Sequence, residues 1–234
     1  MLKIEKTVLP SPEQWEIIIE GMRNPKNSWD KMDSFGCKTS TDCHECGYYK
    51  QDPDFKCGDP ISDTYLIGDN DHKLMMQLAK GGAVHAKYRR MIPVYLTINA
   101  PLYWWKEFDT YKVGTVANSC STMHKIHSRD LTVDDFSHEH LGVFDTRLLK
   151  SVITLINDHR AEYIAHGMKD DWNSMIQLLP TSYNQKRTVM LNYEVLVNIY
   201  HSRKNHRLDE WHTFCDWIRQ LPYSELITGG DADV

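Results

Sequence analysis

Apolar residues recur at helical spacing in several stretches of the chain and alternate with polar residues in two others. The helical pattern predicts helices over residues 12–22, 70–79, 102–111, 146–166, 171–179 and 208–221. Alternation predicts a short edge strand over residues 3–9 and a second strand over residues 92–100. Ser11, Pro12 and Gln14 form a capping-box pattern, so the first helix is expected to begin at Pro12. This mixture of elements predicts an α+β fold.

Residues 24–63 lose this periodicity and gain Gly, Pro, Asp and four of the six cysteines. The four are Cys37, Cys43, Cys46 and Cys57, in the pattern C-x5-C-x2-C-x10-C. Two thiolates separated by two residues can chelate one ion, and the following Gly47 permits the tight turn that this needs. We therefore predict a Cys-rich insert at residues 30–62 with a structural zinc site. An iron–sulfur cluster and unligated cysteines are the alternatives.

Composition narrows the class of protein. The chain of 234 residues is 41% apolar and 25% charged, which is ordinary for a globular protein. A net charge of −5 argues against nonspecific nucleic-acid binding, which depends on clustered Lys and Arg. No apolar run approaches the roughly 18 residues of a membrane span, and the N-terminus lacks a signal-peptide core. We expect a soluble, cytoplasmic protein whose cysteines are thiols or metal ligands rather than disulfides.

Residues 178–211 carry the candidate chemistry. Behind a Leu-Leu-Pro stop, Asn192, Asn198 and Arg203 stand at helical spacing. Two amides and one strong cation suit a nucleotide or a cofactor phosphate. The alternative is ordinary surface polarity, since an arginine near a helix end commonly complements the helix dipole. Arg203 is the residue on which the functional interpretation depends.

Three stretches within residues 62–221 resemble the flavin-dependent thymidylate synthases. Over residues 71–101, a helix, a glycine turn and an alternating strand ending in Ala-Pro surround His85, which matches the family's flavin-site histidine. Residues 106–123 lie where the family carries an Arg-His-Arg signature followed by a serine that faces the nucleotide. In residues 178–211 the family has Leu-Pro, Asn-x-Arg, Asn and Arg, and here Asn192, Asn198 and Arg203 keep the matching intervals.

The sequence departs from this family pattern mainly by losing positive charge. Without gaps, the Arg-His-Arg positions are occupied by Thr110, Tyr111 and Lys112. The nucleotide-facing serine falls on Cys120, or on Ser121 if one residue is inserted, and the arginine after it becomes Thr122 or Met123. Glu107 replaces a family glutamine and Glu194 replaces the arginine of Asn-x-Arg. Neutral groups do not reproduce bidentate arginine contacts, so a phosphate site is weakened.

The resemblance implies a single domain over residues 1–234, with helices packed on a small sheet. It implies reductive methylation of dUMP to dTMP, with carbon from methylenetetrahydrofolate and hydride from FAD reduced by NADPH. The implied catalytic residues are Cys120, Ser121 and Arg203, and Glu107, Ser121 and Arg203 would bind the pyrimidine deoxynucleotide monophosphate. The implied cofactor residues are His85, Lys112, Asn192 and Asn198, in a homotetramer. Two alternatives stay open: a relative that modifies another pyrimidine nucleotide, and a noncatalytic zinc-containing binding module.

Overall fold

The computed structural model describes residues 2–36 and 65–230. The predicted zinc or iron–sulfur ligands Cys37, Cys43, Cys46 and Cys57 lie outside these residues. Within the two described ranges, no group of three or more His, Cys, Asp or Glu side chains could hold a metal ion. The helices of the same ranges include none that is long and apolar enough to cross a lipid bilayer.

Helices and strands follow one another along the whole described chain. The helices are α1 (Pro12–Arg23), α2 (Asp69–Lys80), α3 (Leu102–Phe108), α4 (Thr122–Lys125), α5 (Val143–His166), α6 (Lys169–Leu178), α7 (Tyr193–Arg203), α8 (Asp209–Arg219) and α9 (Glu225–Thr228). The strands are β1 (Lys3–Val8), β2 (Phe35–Gly36), β3 (Tyr65–Leu66), β4 (Pro93–Pro101), β5 (Val116–Ser119) and β6 (Asn184–Asn192). The α+β prediction is confirmed.

The chain divides into two compact units whose segments alternate along the sequence. The first unit comprises Met1–Thr7, Tyr95–Met190 and Arg203–Trp217. The second comprises Val8–Val94, Leu191–Ser202 and Ile218–Val234. The single domain over residues 1–234 stays a prediction.

The larger sheet belongs, apart from a few strand ends, to the first unit. Its strand order is β1-β4-β6-β5, and β5 runs antiparallel to β6 with Val116 opposite Met190. Strand β5 and the start of α4 lie within residues 113–123, for which the sequence pattern predicts neither a strand nor a helix. All four residues of β5 are exposed, so the strand has no buried face. Its sequence, Val-Ala-Asn-Ser, therefore shows no alternation of apolar and polar residues.

The helical spacing predicted for Asn192, Asn198 and Arg203 is wrong for Asn192. Residues Asn184–Asn192 form strand β6, in which Gln185, Val189 and Leu191 are buried. Only two of these three are apolar, so the inward face of the strand does not stand out in the sequence. Asn192 therefore ends a strand, whereas Asn198 and Arg203 lie on the following helix α7.

Two groups of buried side chains form the core of the first unit. The aromatic group joins α3 to α8, with ring centroids 4.8 Å apart for Trp104 and Trp211 and 5.1 Å apart for Trp104 and Phe108. The other group consists of Ile126, Leu131, Phe136, Leu149, Ile153, Ile156 and Met175, from α5, α6 and the turns before them. Helix α5 ends at Gly167, whose φ of +68° suits glycine, as the sequence predicts.

The second unit is organised around a buried carboxylate. Asp71 Oδ1 accepts a hydrogen bond of 2.5 Å from Arg23 Nε, and Asp71 Oδ2 accepts from Ser34 N at 2.9 Å and from Ser34 Oγ at 2.6 Å. Gly68 packs directly against Asp33, and a Cβ added at Gly68 would lie 2.4 Å from the Asp33 carbonyl oxygen. These contacts hold the residues next to β2 and β3, which pair antiparallel. The capping box of α1 is confirmed, since Ser11 and Gln14 exchange hydrogen bonds.

Candidate functional site

Helix α3 places the carboxylate at the centre of the candidate site. The helix starts without a side-chain cap, but its first N–H groups donate to the carbonyl oxygens of Tyr183 and Thr181, at 3.0 and 3.1 Å. Glu107 is the penultimate residue of α3. The backbone then turns, with Tyr111 N donating to Phe108 O at 3.0 Å. After this turn, the Tyr111 hydroxyl and the Glu107 carboxylate are both within hydrogen-bond distance of Arg203.

Arg203, the last residue of α7, is held by four contacts. Its Nη1 donates to Glu107 Oε2 at 2.8 Å, and its Nε donates to Tyr111 Oη at 2.9 Å. The guanidinium carbon lies 4.8 Å from the ring centroid of Trp211 and 5.6 Å from that of Tyr111. Cation–π contacts and a charge-assisted hydrogen bond together fix the orientation of the guanidinium. The side chain is nevertheless part-exposed, so a ligand can reach it.

Glu107 Oε2 lies close to donors from α7, from α8 and from the turn between these helices. Besides Arg203, it accepts a hydrogen bond from Trp211 Nε1 at 2.8 Å, and His206 Nε2 lies 3.3 Å away. The Leu208 N–H donates to His206 Nδ1 at 3.2 Å, so a neutral His206 ring carries its proton on Nε2, facing the carboxylate. We call Glu107, Tyr111, Arg203, His206 and Trp211 the Glu107 cluster.

The sequence prediction included only part of this cluster. Glu107 and Arg203 were predicted substrate-binding residues, and the structure brings them into direct contact. Tyr111 was predicted only as a departure from the family signature, and Trp211 only as part of the helix over residues 208–221. His206 was missed. The available signal was the position of His206 in the sequence. It lies three residues after Arg203 and just before the predicted helix that contains Trp211, so it falls in the turn between the two helices.

The predicted residues near β5 make other contacts. Cys120 is exposed, and its N–H donates to the Lys186 carbonyl oxygen at 2.9 Å. Ser121 Oγ accepts a hydrogen bond from His124 N at 3.1 Å and so caps α4. Lys112 is exposed. Among the described residues, no hydrogen bond or ion pair joins Lys112, Cys120 or Ser121 to Arg203.

The remaining predicted residues lie in the second unit. His85 is exposed in a turn, where its N–H donates to Gly82 O at 3.0 Å. Asn192 Oδ1 accepts from Val195 N at 3.1 Å, which makes Asn192 the N-cap of α7. Asn198 is exposed on the same helix. The structure thus gives the Asn192 side chain a local capping role.

A buried ion pair in the second unit was not predicted. Arg89 Nη1 lies 3.6 Å from Glu194 Oε2, and both side chains are largely buried. Within the described ranges, Arg89 Nε and Glu194 Oε2 have no hydrogen-bond partner. Burial also raises the pKa of the neighbouring Tyr88 to about 12. The signal was the departure at Glu194 itself, because a carboxylate at a buried position requires a cation or hydrogen-bond donors.

Comparisons with known proteins bear on the fold. No protein-family model and no curated protein matches the sequence. Thymidylate synthase X from Helicobacter pylori, solved with FAD and dUMP, matches with a TM-score of 0.60 and 12% identity, over 98% of this chain and 97% of that chain. The UMP/dUMP methylase PolB from Streptomyces cacaoi, bound with 5-Br dUMP, matches with a TM-score of 0.56 and 10% identity, over 98% of this chain and 94% of that chain.

These identities are too low to define more than an architecture. The chain has the fold of the flavin-dependent thymidylate synthases, across nearly its whole length. Within that fold, the Glu107 cluster surrounds the part-exposed Arg203 cation with a carboxylate and aromatic rings.

Proposed function

We propose that this chain is a flavin-dependent enzyme that methylates a pyrimidine nucleotide, converting dUMP to dTMP with methylenetetrahydrofolate and NADPH. The observation that carries the proposal is Arg203, a part-exposed cation whose orientation is fixed by Glu107, Tyr111 and Trp211. The fold supports it, because proteins of this fold have been solved with FAD and dUMP or with 5-Br dUMP.

Arg203 would act on the pyrimidine ring. A guanidinium next to a ring carbonyl stabilises negative charge that develops there when the ring is activated. Because Glu107 and Tyr111 already hold Nη1 and Nε, the group needs no reorganisation when the nucleotide binds. Glu107 is therefore a positioning residue for Arg203, and Trp211 supports both.

The phosphate end of the nucleotide would depend on few groups. Lys112 is exposed and carries the one cation left at the three Arg-His-Arg positions of the family signature. Ser121 Oγ uses a lone pair to cap α4, so its own hydroxyl proton remains available to a phosphate oxygen. Cys120 precedes it with an exposed thiol. We infer weaker phosphate binding than a site with paired arginines would give.

The second unit offers groups that fit a flavin. Arg89 Nε is a buried donor and Glu194 Oε2 a buried acceptor, and within the described chain both lack hydrogen-bond partners, so the polar edge of a heterocycle would satisfy them. Asn192 keeps its amide N–H groups for a ligand, because only its oxygen serves the helix cap. His85 and Asn198 complete the proposed set of cofactor residues. When bound, the flavin supplies the hydride.

A second candidate function is modification of a different pyrimidine nucleotide. Glu107 offsets part of the charge of Arg203, and Tyr111, in the position of a family histidine, binds Arg203 instead. Both changes alter the groups that a nucleotide would meet. The match to a methylase named for both UMP and dUMP supports a broader range of nucleotides for this fold.

The test combines the visible spectrum of the freshly purified protein with calorimetric titration of dUMP and an assay for dTMP. The proposal predicts flavin absorbance, dUMP binding that Arg203→Ala weakens, and dTMP formation. The exposed Arg207→Ala is the matched control. Flavin and nucleotide binding without dTMP would favour the second candidate. A colourless protein that gains no flavin on reconstitution would leave a noncatalytic binding module.

A further inference from the structure

A cleft of about 400 Å³ opens in the first unit. Its lining residues are His124, His127, Tyr163, Gly167, Lys169 and Trp172, and we call it the histidine cleft. None of them belongs to the Glu107 cluster, and none was a predicted site residue. The volume falls within the roughly 300–1,000 Å³ usual for small-molecule sites.

The walls of the cleft rest on packed structure. Tyr163 and Trp172 pack against the core group that contains Ile156 and Met175. Gly167 ends α5, and a Cβ added there would have no atom within 4 Å, so the passage from α5 to α6 leaves open space. The cleft therefore lies beside the end of α5 and the start of α6, and a ligand would meet two aromatic side chains that are packed on the core.

His127 presents a buried nitrogen without a partner. Its backbone oxygen accepts from Arg160 Nε at 2.9 Å, and its ring lies edge to face with Tyr163 at a centroid distance of 5.1 Å. Within the residues that the structure describes, His127 Nδ1 is shielded from solvent and has no hydrogen-bond partner. Such an unpartnered nitrogen is costly to bury, and the His127 ring that carries it lines the cleft.

Trp172 contributes a flat surface. Its Nε1 donates to the Met123 carbonyl oxygen at 3.1 Å, which fixes the indole plane and uses its donor. The indole ring then has only its apolar surface to offer a ligand. Together with Tyr163 and the ring of His127, it makes a lining suited to an aromatic ring.

The charge of the lining favours an anion. Lys169 contributes an ammonium group, His124 and His127 contribute imidazoles, and none of the lining residues is acidic. Asp171, on the first turn of α6, is hydrogen-bonded to His159 Nδ1 at 2.9 Å and is not a lining residue. A cation beside imidazole donors recognises carboxylate, sulfonate or phosphate groups.

We propose that the histidine cleft binds an organic anion that carries a flat aromatic ring. The ring lies against Trp172 and Tyr163, and the anionic group meets Lys169 and the His127 imidazole. This inference is independent of the proposed function, because it uses other residues and requires neither flavin nor dUMP.

The test is calorimetric titration of the full chain with three probes: 2-naphthalenesulfonate, which has both features; 2-naphthol, a neutral ring at neutral pH; and methanesulfonate, an anion without a ring. Only 2-naphthalenesulfonate should bind measurably. Lys169→Glu, at an exposed position, should weaken its binding by about tenfold or more, since an attractive charge becomes repulsive. His127→Asn should also weaken it.

Two further variants locate the probe. Lys150→Glu makes the same charge change at an exposed position of α5 and should leave the affinity unchanged. Arg203→Ala should also leave it unchanged. The proposal is overturned if Lys169→Glu and Lys150→Glu act alike, if 2-naphthol binds as well as the sulfonate, or if Arg203→Ala abolishes binding, which would place the probe at the Glu107 cluster.

Discussion

Two arginine–carboxylate pairs, one in each unit, use the same chemistry at different depths. Arg23 and Asp71 in the second unit are 3% and 0% exposed, with Nε and Oδ1 2.5 Å apart. Arg203 and Glu107 in the first unit are 18% and 34% exposed, with Nη1 and Oε2 2.8 Å apart. The buried pair is surrounded by backbone and hydroxyl donors, whereas the other is surrounded by aromatic rings and a histidine.

The difference separates a structural pair from a candidate functional one. A buried charge depends on its partner, because losing the partner leaves it in a medium that solvates it poorly. A part-exposed pair adds little to stability, since water already screens it. We therefore expect changes at Asp71 to act on folding and changes at Arg203 to act mainly on binding.

The largest expected effect is on stability. Asp71→Ala leaves the Arg23 guanidinium buried without its carboxylate and should lower the free energy of unfolding by about 3–5 kcal/mol. Urea unfolding measures it. The control is Asp69→Ala, an exposed carboxylate on the first turn of the same helix, which should cost about 0.3–1 kcal/mol. Equal losses of unfolding free energy for the two variants would show that the buried ion pair of Asp71 does not stabilise the fold.

Acid should weaken the same pair. Burial alone would raise the pKa of Asp71, but hydrogen bonds from Ser34, the Asp33 backbone and Arg23 outweigh it and lower the pKa below its usual value. The stabilisation is therefore fully present above the unfolded-state pKa of about 3.9 and is lost as pH falls through the lower folded-state pKa. The stability difference between the natural chain and Asp71→Asn should shrink as pH falls below about 4. A difference that does not change with pH would contradict this.

Changes to the part-exposed pair should affect ligand binding more than stability. Arg203→Ala should weaken dUMP binding by about tenfold or more, because a charge-assisted contact is lost. Its stability should fall by only about 1 kcal/mol. Titration calorimetry and urea unfolding on the same variant separate the two effects, with Arg207→Ala as control. A loss of stability as large as that of Asp71→Ala, without a change in dUMP affinity, would make Arg203 structural.

The smallest effect concerns two asparagines of similar appearance in the sequence. Asn192→Ala removes the N-cap of α7 and should cost about 1 kcal/mol. Asn198→Ala, on the exposed face of the helix, should leave stability within about 0.5 kcal/mol of the natural chain. Thermal unfolding measures both. If flavin content falls in Asn198→Ala while stability holds, Asn198 contacts the cofactor; unchanged content removes it from the proposed set.

Much of the helical structure was predictable because its signals are local. The capping box at Ser11 marks the start of α1, and Gly167 marks the end of α5. Strands β5 and β6 were not predictable in the same way, since β5 is exposed and β6 buries a glutamine. A strand is stabilised by partners distant in sequence, so its own residues carry a weaker signal.

The candidate site follows the same division. Arg203, Glu107 and the departure at Glu194 could be recognised as unusual chemistry from the sequence, because residue types and spacing are local properties. Their partners are visible only in the folded chain: Trp211 and His206 for Glu107, Arg89 for Glu194, and the core beneath the histidine cleft. Such contacts depend on how elements far apart in the chain pack against one another, and no local pattern encodes that packing.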